Sequence, residues 1–225
     1  MYHFITGPLL WFTFLFFFVG CIARVVFYIR GLDWKLDRVT YTKNVSFGIK
    51  GAIRSVVFWL IPYKTHSWRA NPVYTLIFFI FHFGIVITPL FLSAHNIILH
   101  ERWGIRFFSF PDFVSDVLTI TVIICAVLLL VRRIALLHVR ILTKPQDILV
   151  LIITVAPFIT GFFAYHQVAD SELWTLIHIL SGEVMLVAIP LTKLSHVVLF
   201  FCSRAQVGID FGVKRGGMKS GGLDW

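Results

Sequence analysis

Residues 173–198 read LWTLIHILSGEVMLVAIPLTKLSHVV, and this stretch decides the fold class. It is apolar for longer than the roughly 20 residues that a helix needs to cross a bilayer. It also carries His178, Glu183 and His196 among its apolar residues. Ionisable side chains at membrane depth are costly and by default indicate a functional site. The stretch therefore predicts a membrane-spanning helix that carries chemistry.

Four further apolar runs of similar length surround this one. The whole chain of 225 residues is 58% hydrophobic and only 14% charged, whereas a soluble domain has about 25% charged residues. Several runs are also longer than a helix in a soluble core needs, which argues against a soluble protein with a large core. The predicted spans cover residues 7–29, 73–98, 113–131, 148–165 and 173–201. The sequence thus predicts an all-α membrane protein, a bundle of five transmembrane helices.

The positive charge is concentrated on one side of this bundle. The connection between spans one and two holds eight basic residues, that between spans three and four holds four, and the tail holds four. The two remaining connections hold only Arg102 and Arg106. Because basic loops stay in the cytoplasm, we expect the N-terminus outside and the C-terminus inside, in a multi-pass protein of the inner (cytoplasmic) membrane. The net charge of +9 then reflects topology, and no nucleic-acid partner is expected.

Two segments lie outside the predicted spans. Residues 47–62 (FGIKGAIRSVVFWLIP) are basic and then strongly apolar, which favours an interfacial helix; a short re-entrant segment is the alternative. Residues 203–225 end in a Gly-rich stretch and are expected to form a cytoplasmic tail, disordered on its own, after a transmembrane domain over residues 1–202. No soluble enzyme domain is visible. The cysteines form no CxxC or CxxCH, which excludes a zinc, iron–sulfur or c-type haem site built from them.

The histidines carry the strongest functional signal. His178 and His196 are eighteen residues apart, which is five turns and about 27 Å along one continuous helix face. Two b haems stacked across a membrane need one ligand each from such a helix and one each from a facing helix, and neutral imidazole suits haem iron. The antiparallel direction of span two pairs His82 with His196 for an inner haem, and His95 with His178 for an outer haem.

One feature of span two needs a break in the helix. His82 and His95 are thirteen residues apart, which is about 220° of rotation in a straight helix. Pro89 lies between them, and proline kinks or interrupts a helix. A kink there would turn His95 toward the outer haem. His100 is the alternative ligand, since it shares a face with His82 if the helix is straight.

The chain resembles the respiratory nitrate reductase gamma-subunit family of cytochromes b, which also includes membrane subunits of heterodisulfide-reductase-like and sulfite-reduction-associated complexes. The resemblance rests on the eighteen-residue histidine spacing, on Pro190 six residues before His196, and on the five-span layout. The F-H-x-G-I pattern of the second helix is matched by Phe81, His82, Gly84 and Ile85.

This chain departs from the family at two positions. The second-helix ligands of the nitrate reductase subunit are ten residues apart, whereas Leu92 stands at that position here. The family's quinol-site lysine falls near Ser115 or Asp116, where this chain has no lysine.

The resemblance implies a subunit of a quinone-linked oxidoreductase rather than a complete enzyme. Electrons would pass through two b haems between an outer site for menaquinone or ubiquinone and a cytoplasmic iron–sulfur or catalytic subunit. A periplasmic multihaem cytochrome is the alternative partner. The candidate quinone contacts or proton relays are Asp116, His166 and Glu183; for His166, an ordinary place at the membrane interface is the alternative. The candidate propionate partners are Arg24, Arg132, Arg133 and Lys193, for which ordinary snorkelling to the interface is the alternative.

Two other function classes stay open at this point. A proton-coupled transporter or channel would use the intramembrane histidines and Glu183 without haem. Such proteins are often built from repeated halves, and no repeat is visible. A purely structural membrane anchor would tolerate replacement of all four histidines.

Overall fold

A computed structural model describes residues 2–32 and 45–214 of the chain, with side chains through Asp210. Every regular element in these two ranges is helical. The longer helices, numbered in chain order, are α1 (Tyr2–Arg30), α2 (Val45–Leu60), α3 (Pro72–Phe91), α4 (Ser93–Trp103), α5 (Asp112–Ala135), α6 (Pro145–Tyr165), α7 (Ser171–Leu191) and α8 (His196–Lys214).

Five of these helices are long and apolar enough to cross a membrane: α1, α3, α5, α6 and α7. The shortest, α3, has 20 residues, which at 1.5 Å per residue matches a hydrocarbon core of roughly 30 Å. The predicted all-α fold class and the five spans are therefore confirmed. The chain has the helices of a multi-pass membrane protein. The orientation of the termini stays a prediction.

The fifth span is interrupted where the sequence predicted continuity. Helix α7 ends at Leu191, Thr192 is extended (φ −119°, ψ −169°), and a 3₁₀ turn over Lys193–Ser195 leads into α8. Pro190 lacks an N–H group and its ring crowds the preceding turn, and the Thr192 hydroxyl accepts the Leu194 N–H at 3.2 Å. The prediction of one span over residues 173–201 is wrong, and so is the single helix face for its two histidines.

The predicted end of the transmembrane domain at residue 202 stays a prediction. His196 is the first residue of α8, which continues to Lys214. The predicted boundary between residues 202 and 203 therefore lies inside a helix. The rest of the predicted Gly-rich tail, residues 215–225, lies outside the described residues.

The second span is interrupted as Pro89 suggested. Helix α3 ends at Phe91, Leu92 has an extended conformation (φ −69°, ψ 131°), and α4 begins at Ser93. The backbone N–H of Phe110 donates to the exposed carbonyl of Phe91 at 2.9 Å. His95 consequently belongs to a separate helix, with an orientation independent of His82.

The chain forms two compact units. The first comprises the chain up to Phe12 together with Leu76–Ala188; the second comprises Thr13–Thr75 and the residues from Ile189 onward. The core of the first unit is formed by buried side chains of α3, α5 and α6. These are Phe81, Val122, Cys125, Ala126 and Phe158.

In the second unit, α2 packs closely against α8. The contact face of α2 consists of the buried residues Gly48, Gly51 and Ser55. A Cβ atom added to Gly208 of α8 would lie 2.7 Å from the Cβ atom of Ser55, so a small residue is required there. The helix predicted at residues 47–62 is therefore present as α2, and its place at the membrane interface stays a prediction.

The second unit also holds the end of α7 against α1. The Arg24 Nε donates a hydrogen bond to the Pro190 carbonyl at 2.6 Å. One turn earlier, a Cβ atom on Gly20 would lie 2.6 Å from the Pro190 Cβ. Carbonyl groups at the end of a helix have no partner in the helix itself, so Arg24 satisfies one of them. Gly20 and Arg24 together form the surface of α1 that contacts Pro190.

Candidate functional site

The first unit brings two of the predicted site histidines together. The rings of His95 in α4 and His178 in α7 have their centres 6.0 Å apart, and their planes differ by only 12°. Both side chains are half-buried. His100, the alternative to His95, is exposed near the end of α4. The break at Leu92 is what allows His95 rather than His100 to face α7.

Both rings are oriented by proline carbonyls. The Nδ1 of His95 lies 2.9 Å from the Pro89 carbonyl oxygen, and the Nδ1 of His178 lies 3.0 Å from that of Pro157. Because a carbonyl oxygen can only accept, Nδ1 carries the proton in each neutral ring. The Nε2 of each ring therefore has a free lone pair, as a metal-ligating histidine requires.

Small and polar residues of α6 pack against the His178 ring. A Cβ atom on Gly161 would lie 2.8 Å from the ring's Cε1, so the ring occupies space that only a glycine leaves. The Thr160 hydroxyl lies 3.5 Å from the His178 Nδ1 and 3.1 Å from the Ser181 hydroxyl. These residues were not predicted from the sequence. A glycine beside a threonine in the middle of a span was the available signal.

The other two predicted ligands show the same ring orientation. The Nδ1 of His82 donates to the Phe78 carbonyl at 2.8 Å, and the Nδ1 of His196 donates to the Lys193 carbonyl at 2.8 Å. All four predicted ligands thus present Nε2 as the atom with the lone pair. His82 and His196 belong to different units, so their pairing stays a prediction.

Two imidazoles are the protein ligands that a haem would need, and are fewer than a structural zinc site takes. A structural zinc site takes four protein ligands, and the described residues contain no group of three or more His, Cys, Asp or Glu side chains that could hold a metal ion. Haem iron needs only axial protein ligands. His95 and His178 would supply two such ligands, since their ring centres lie 6.0 Å apart.

Two of the three candidate quinone residues form a second pair in the same unit. The His166 Nε2 lies 3.0 Å from the Asp116 Oδ1, and both side chains are partly exposed (38% and 29%). An ionised carboxylate can only accept, so Nε2 donates and the lone pair of neutral His166 is on Nδ1. This is the arrangement of a general base oriented by a carboxylate.

The third candidate, Glu183, is buried inside the first unit. Its exposure is only 4%, and neither carboxylate oxygen has a hydrogen-bond partner among the described residues. An unpaired ionised carboxylate in this environment is strongly unfavourable. Glu183 is thus a buried carboxyl group without a hydrogen-bond partner among the described residues, which keeps it a candidate for proton transfer.

The four propionate candidates lie on three different elements. Arg24 uses its Nε to hold the Pro190 carbonyl, and Lys193 lies in the 3₁₀ turn before α8. Arg132 and Arg133 lie in the last turn of α5. The first turn of α5 is on the side of α4, because the Ser93 hydroxyl donates to the Asp112 carboxylate at 3.3 Å. Arg132 and Arg133 are thus roughly 30 Å from that end and cannot serve the pair formed by His95 and His178.

Comparison with known proteins gives one extensive similarity. A protein of Nitratidesulfovibrio vulgaris (strain Hildenborough) is 51% identical to this chain over 221 residues, which cover 98% of each chain. No family model and no solved structure matches the chain. The similarity extends over both units of the fold.

Proposed function

We propose that this chain, which belongs to the same family as the Nitratidesulfovibrio vulgaris protein, is a dihaem cytochrome b subunit of a quinone-linked membrane complex. The observation that carries the proposal is the parallel pair formed by His95 and His178, with ring centres 6.0 Å apart. Each ring donates from Nδ1 to a backbone carbonyl, which leaves Nε2 for a metal ion.

The proposal assigns a role to each of the four histidines. His95 and His178 hold the outer haem, and His82 and His196 hold the inner haem. A haem held by two histidines would supply one-electron transfer. Arg132, Arg133 and Lys193 are the proposed propionate partners of the inner haem, because Arg132 and Arg133 lie in a basic connection on the predicted cytoplasmic side and Lys193 is three residues before His196.

His166 and Asp116 form the proposed proton-accepting pair of the quinone site. Oxidation of a quinol releases protons together with electrons, so a base must lie beside the quinol hydroxyl. The lone pair on His166 Nδ1 accepts one proton, and Asp116 stabilises the resulting imidazolium ion. Glu183 is the proposed second proton carrier, because it is the buried carboxyl group without a partner among the described residues.

The partners of the subunit follow from the resemblance and the charge pattern. We propose that menaquinone or ubiquinone is the substrate at the outer side of the cytoplasmic membrane. A cytoplasmic iron–sulfur or catalytic subunit would exchange electrons with the inner haem, next to the basic connections of the chain. A periplasmic multihaem cytochrome remains the alternative partner.

Single histidine replacements test the proposed ligands. We expect His95→Ala and His178→Ala each to remove the same haem, so that each variant keeps one haem per chain with the same remaining spectrum and midpoint potential. The measurement is a redox titration of the purified protein by visible absorption.

The matched controls are His100→Ala and His166→Ala, both of which should keep two haems. A His95→Ala protein and a His178→Ala protein that lose different haems, or none, would contradict the assignment. Loss of haem from the His100→Ala protein in place of the His95→Ala protein would do the same.

A further inference from the structure

One face of α2 is closed by its contact with α8. Gly48, Gly51 and Ser55 lie on this face and are buried. Gly208 of α8 approaches them so closely that a Cβ atom would collide with Ser55. The two helices are therefore fixed against each other, and the remaining surface of α2 faces away from α8.

A stripe of exposed apolar side chains follows that remaining surface. Ile49, Ile53, Val57 and Leu60 are spaced four, four and three residues apart and are all exposed, Ile53 by 59%. This spacing places them on one side of a helix. An exposed apolar stripe on a helix that connects two membrane spans is suited to contact with lipid.

Cationic side chains border this stripe and share a groove with it. The groove is lined by Lys50, Ile53, Arg54, Val57 and Phe58. The Arg54 guanidinium lies 4.9 Å from the centre of the Phe58 ring, and its Nε is buried without a hydrogen-bond partner among the described residues. Helix α2 contains no acidic residue.

Lys64 adds a third positive charge beside the groove, since its Nζ lies 5.1 Å from the centre of the same Phe58 ring. An anion at this place would therefore meet several cations and no carboxylate of α2.

We propose that this groove binds one anionic phospholipid. The phosphate is held by Lys50 and Arg54, and an acyl chain lies along Ile53 and Val57. A free phosphate ion would make no contact with the apolar stripe. In a zwitterionic lipid, the positive head group offsets the phosphate charge, so the cations attract that lipid less. Basic sites at the membrane surface gain affinity for anionic lipids from each cation. This inference is independent of the haems.

Lipid titration of the purified full-length protein in detergent tests the proposal. Native mass spectrometry would count lipids bound per chain as dioleoyl phosphatidylglycerol or dioleoyl phosphatidylcholine is added. We expect one phosphatidylglycerol to bind more tightly than phosphatidylcholine. The double variant Lys50→Gln/Arg54→Gln should weaken this binding at least about tenfold.

Three controls separate the possible causes. Arg140→Gln removes an exposed cation from another connection and should change nothing. Lys50→Arg/Arg54→Lys keeps the charge and should retain most of the affinity. Ile53→Ser/Val57→Ser removes the apolar contact and should also weaken binding, and the single variant Lys50→Gln serves if the double variant fails to fold.

Several results would overturn the proposal. The proposed lipid site is wrong if the two lipids bind equally well. It is also wrong if the double variant Lys50→Gln/Arg54→Gln binds phosphatidylglycerol as tightly as the wild type. If excess inorganic phosphate displaces phosphatidylglycerol, the groove recognises only the phosphate group and not the lipid. Loss of a co-purifying protein subunit in the double variant, with lipid binding unchanged, means that the groove is a protein interface.

Discussion

At the scale of single residues, hydrogen bonding decides what each histidine can do. The four proposed ligands donate from Nδ1 to backbone carbonyls, whereas His166 uses Nε2 toward a carboxylate. The sequence identified His82, His95, His178 and His196 as one group from their positions in the spans. It did not indicate that His166 and Asp116 would meet, because fifty residues separate them and only the packing of α5 on α6 joins them.

Replacing the quinone-site pair should affect catalysis and leave the haems in place. His166→Ala removes the proton acceptor, and Asp116→Asn leaves the imidazole without its charged partner. A positioned base typically contributes a factor of about 10²–10⁴ to a rate, so we expect quinol-dependent haem reduction to slow about 100-fold or more. Stopped-flow absorption of the haem bands measures this rate.

The control for this experiment is the haem content of the same samples. Both variants should keep the wild-type spectrum and haem count. Reduction at the wild-type rate in His166→Ala would show that the quinol is oxidised elsewhere.

At the scale of the helices, two breaks determine where the ligands lie. Pro89 allowed the first break to be predicted, and the structure has it at Leu92. The second was missed, because the apolar run continues past Pro190 and run length cannot distinguish one helix from two. The signal was in the residues Pro190-Leu191-Thr192, a proline followed by a helix-capping threonine. The same break places His196 at the start of α8 instead of one turn inside a span.

The contact of Gly20 and Arg24 with Pro190 should stabilise the break between α7 and α8. Gly20→Ala introduces a Cβ atom at 2.6 Å from Pro190, and we expect it to destabilise the protein by about 1–3 kcal/mol. Arg24→Gln should leave the Pro190 carbonyl poorly satisfied, while Arg24→Lys retains a donor. Thermal unfolding followed by circular dichroism measures both effects.

Gly7→Ala is the matched control, because a Cβ atom on Gly7 meets nothing within 4 Å. Under the proposed function, Gly20→Ala and Arg24→Gln should also shift the midpoint potential of the inner haem and leave that of the outer haem unchanged. A Gly20→Ala protein as stable as the Gly7→Ala protein is incompatible with the close approach of α1 to Pro190.

At the scale of the whole molecule, run length and charge determine the architecture. The five spans were predictable because about 20 apolar residues are needed to cross a bilayer and few soluble helices have them. The division into two units was not predictable, since it depends on contacts such as those of Gly20 and Gly208 that only the packed structure reveals.

The orientation of the chain can be tested by reporter fusions. The excess of basic residues in the connections between spans one and two and between spans three and four predicts an external N-terminus. Alkaline phosphatase should therefore be active when fused after Arg106, and green fluorescent protein should fluoresce when fused after Trp225. Fluorescence at the first site and phosphatase activity at the second would reverse the proposed sides of the haems and of the quinone site.

The haem content of the purified wild-type chain tests the central claim most directly. The chain would be produced with an adequate haem supply, and its reduced-minus-oxidised spectrum would be combined with a pyridine haemochrome assay and a protein assay. We expect two b haems per chain, both extractable because the sequence has no CxxCH for covalent attachment. A fully helical, membrane-inserted protein that binds no haem would contradict it.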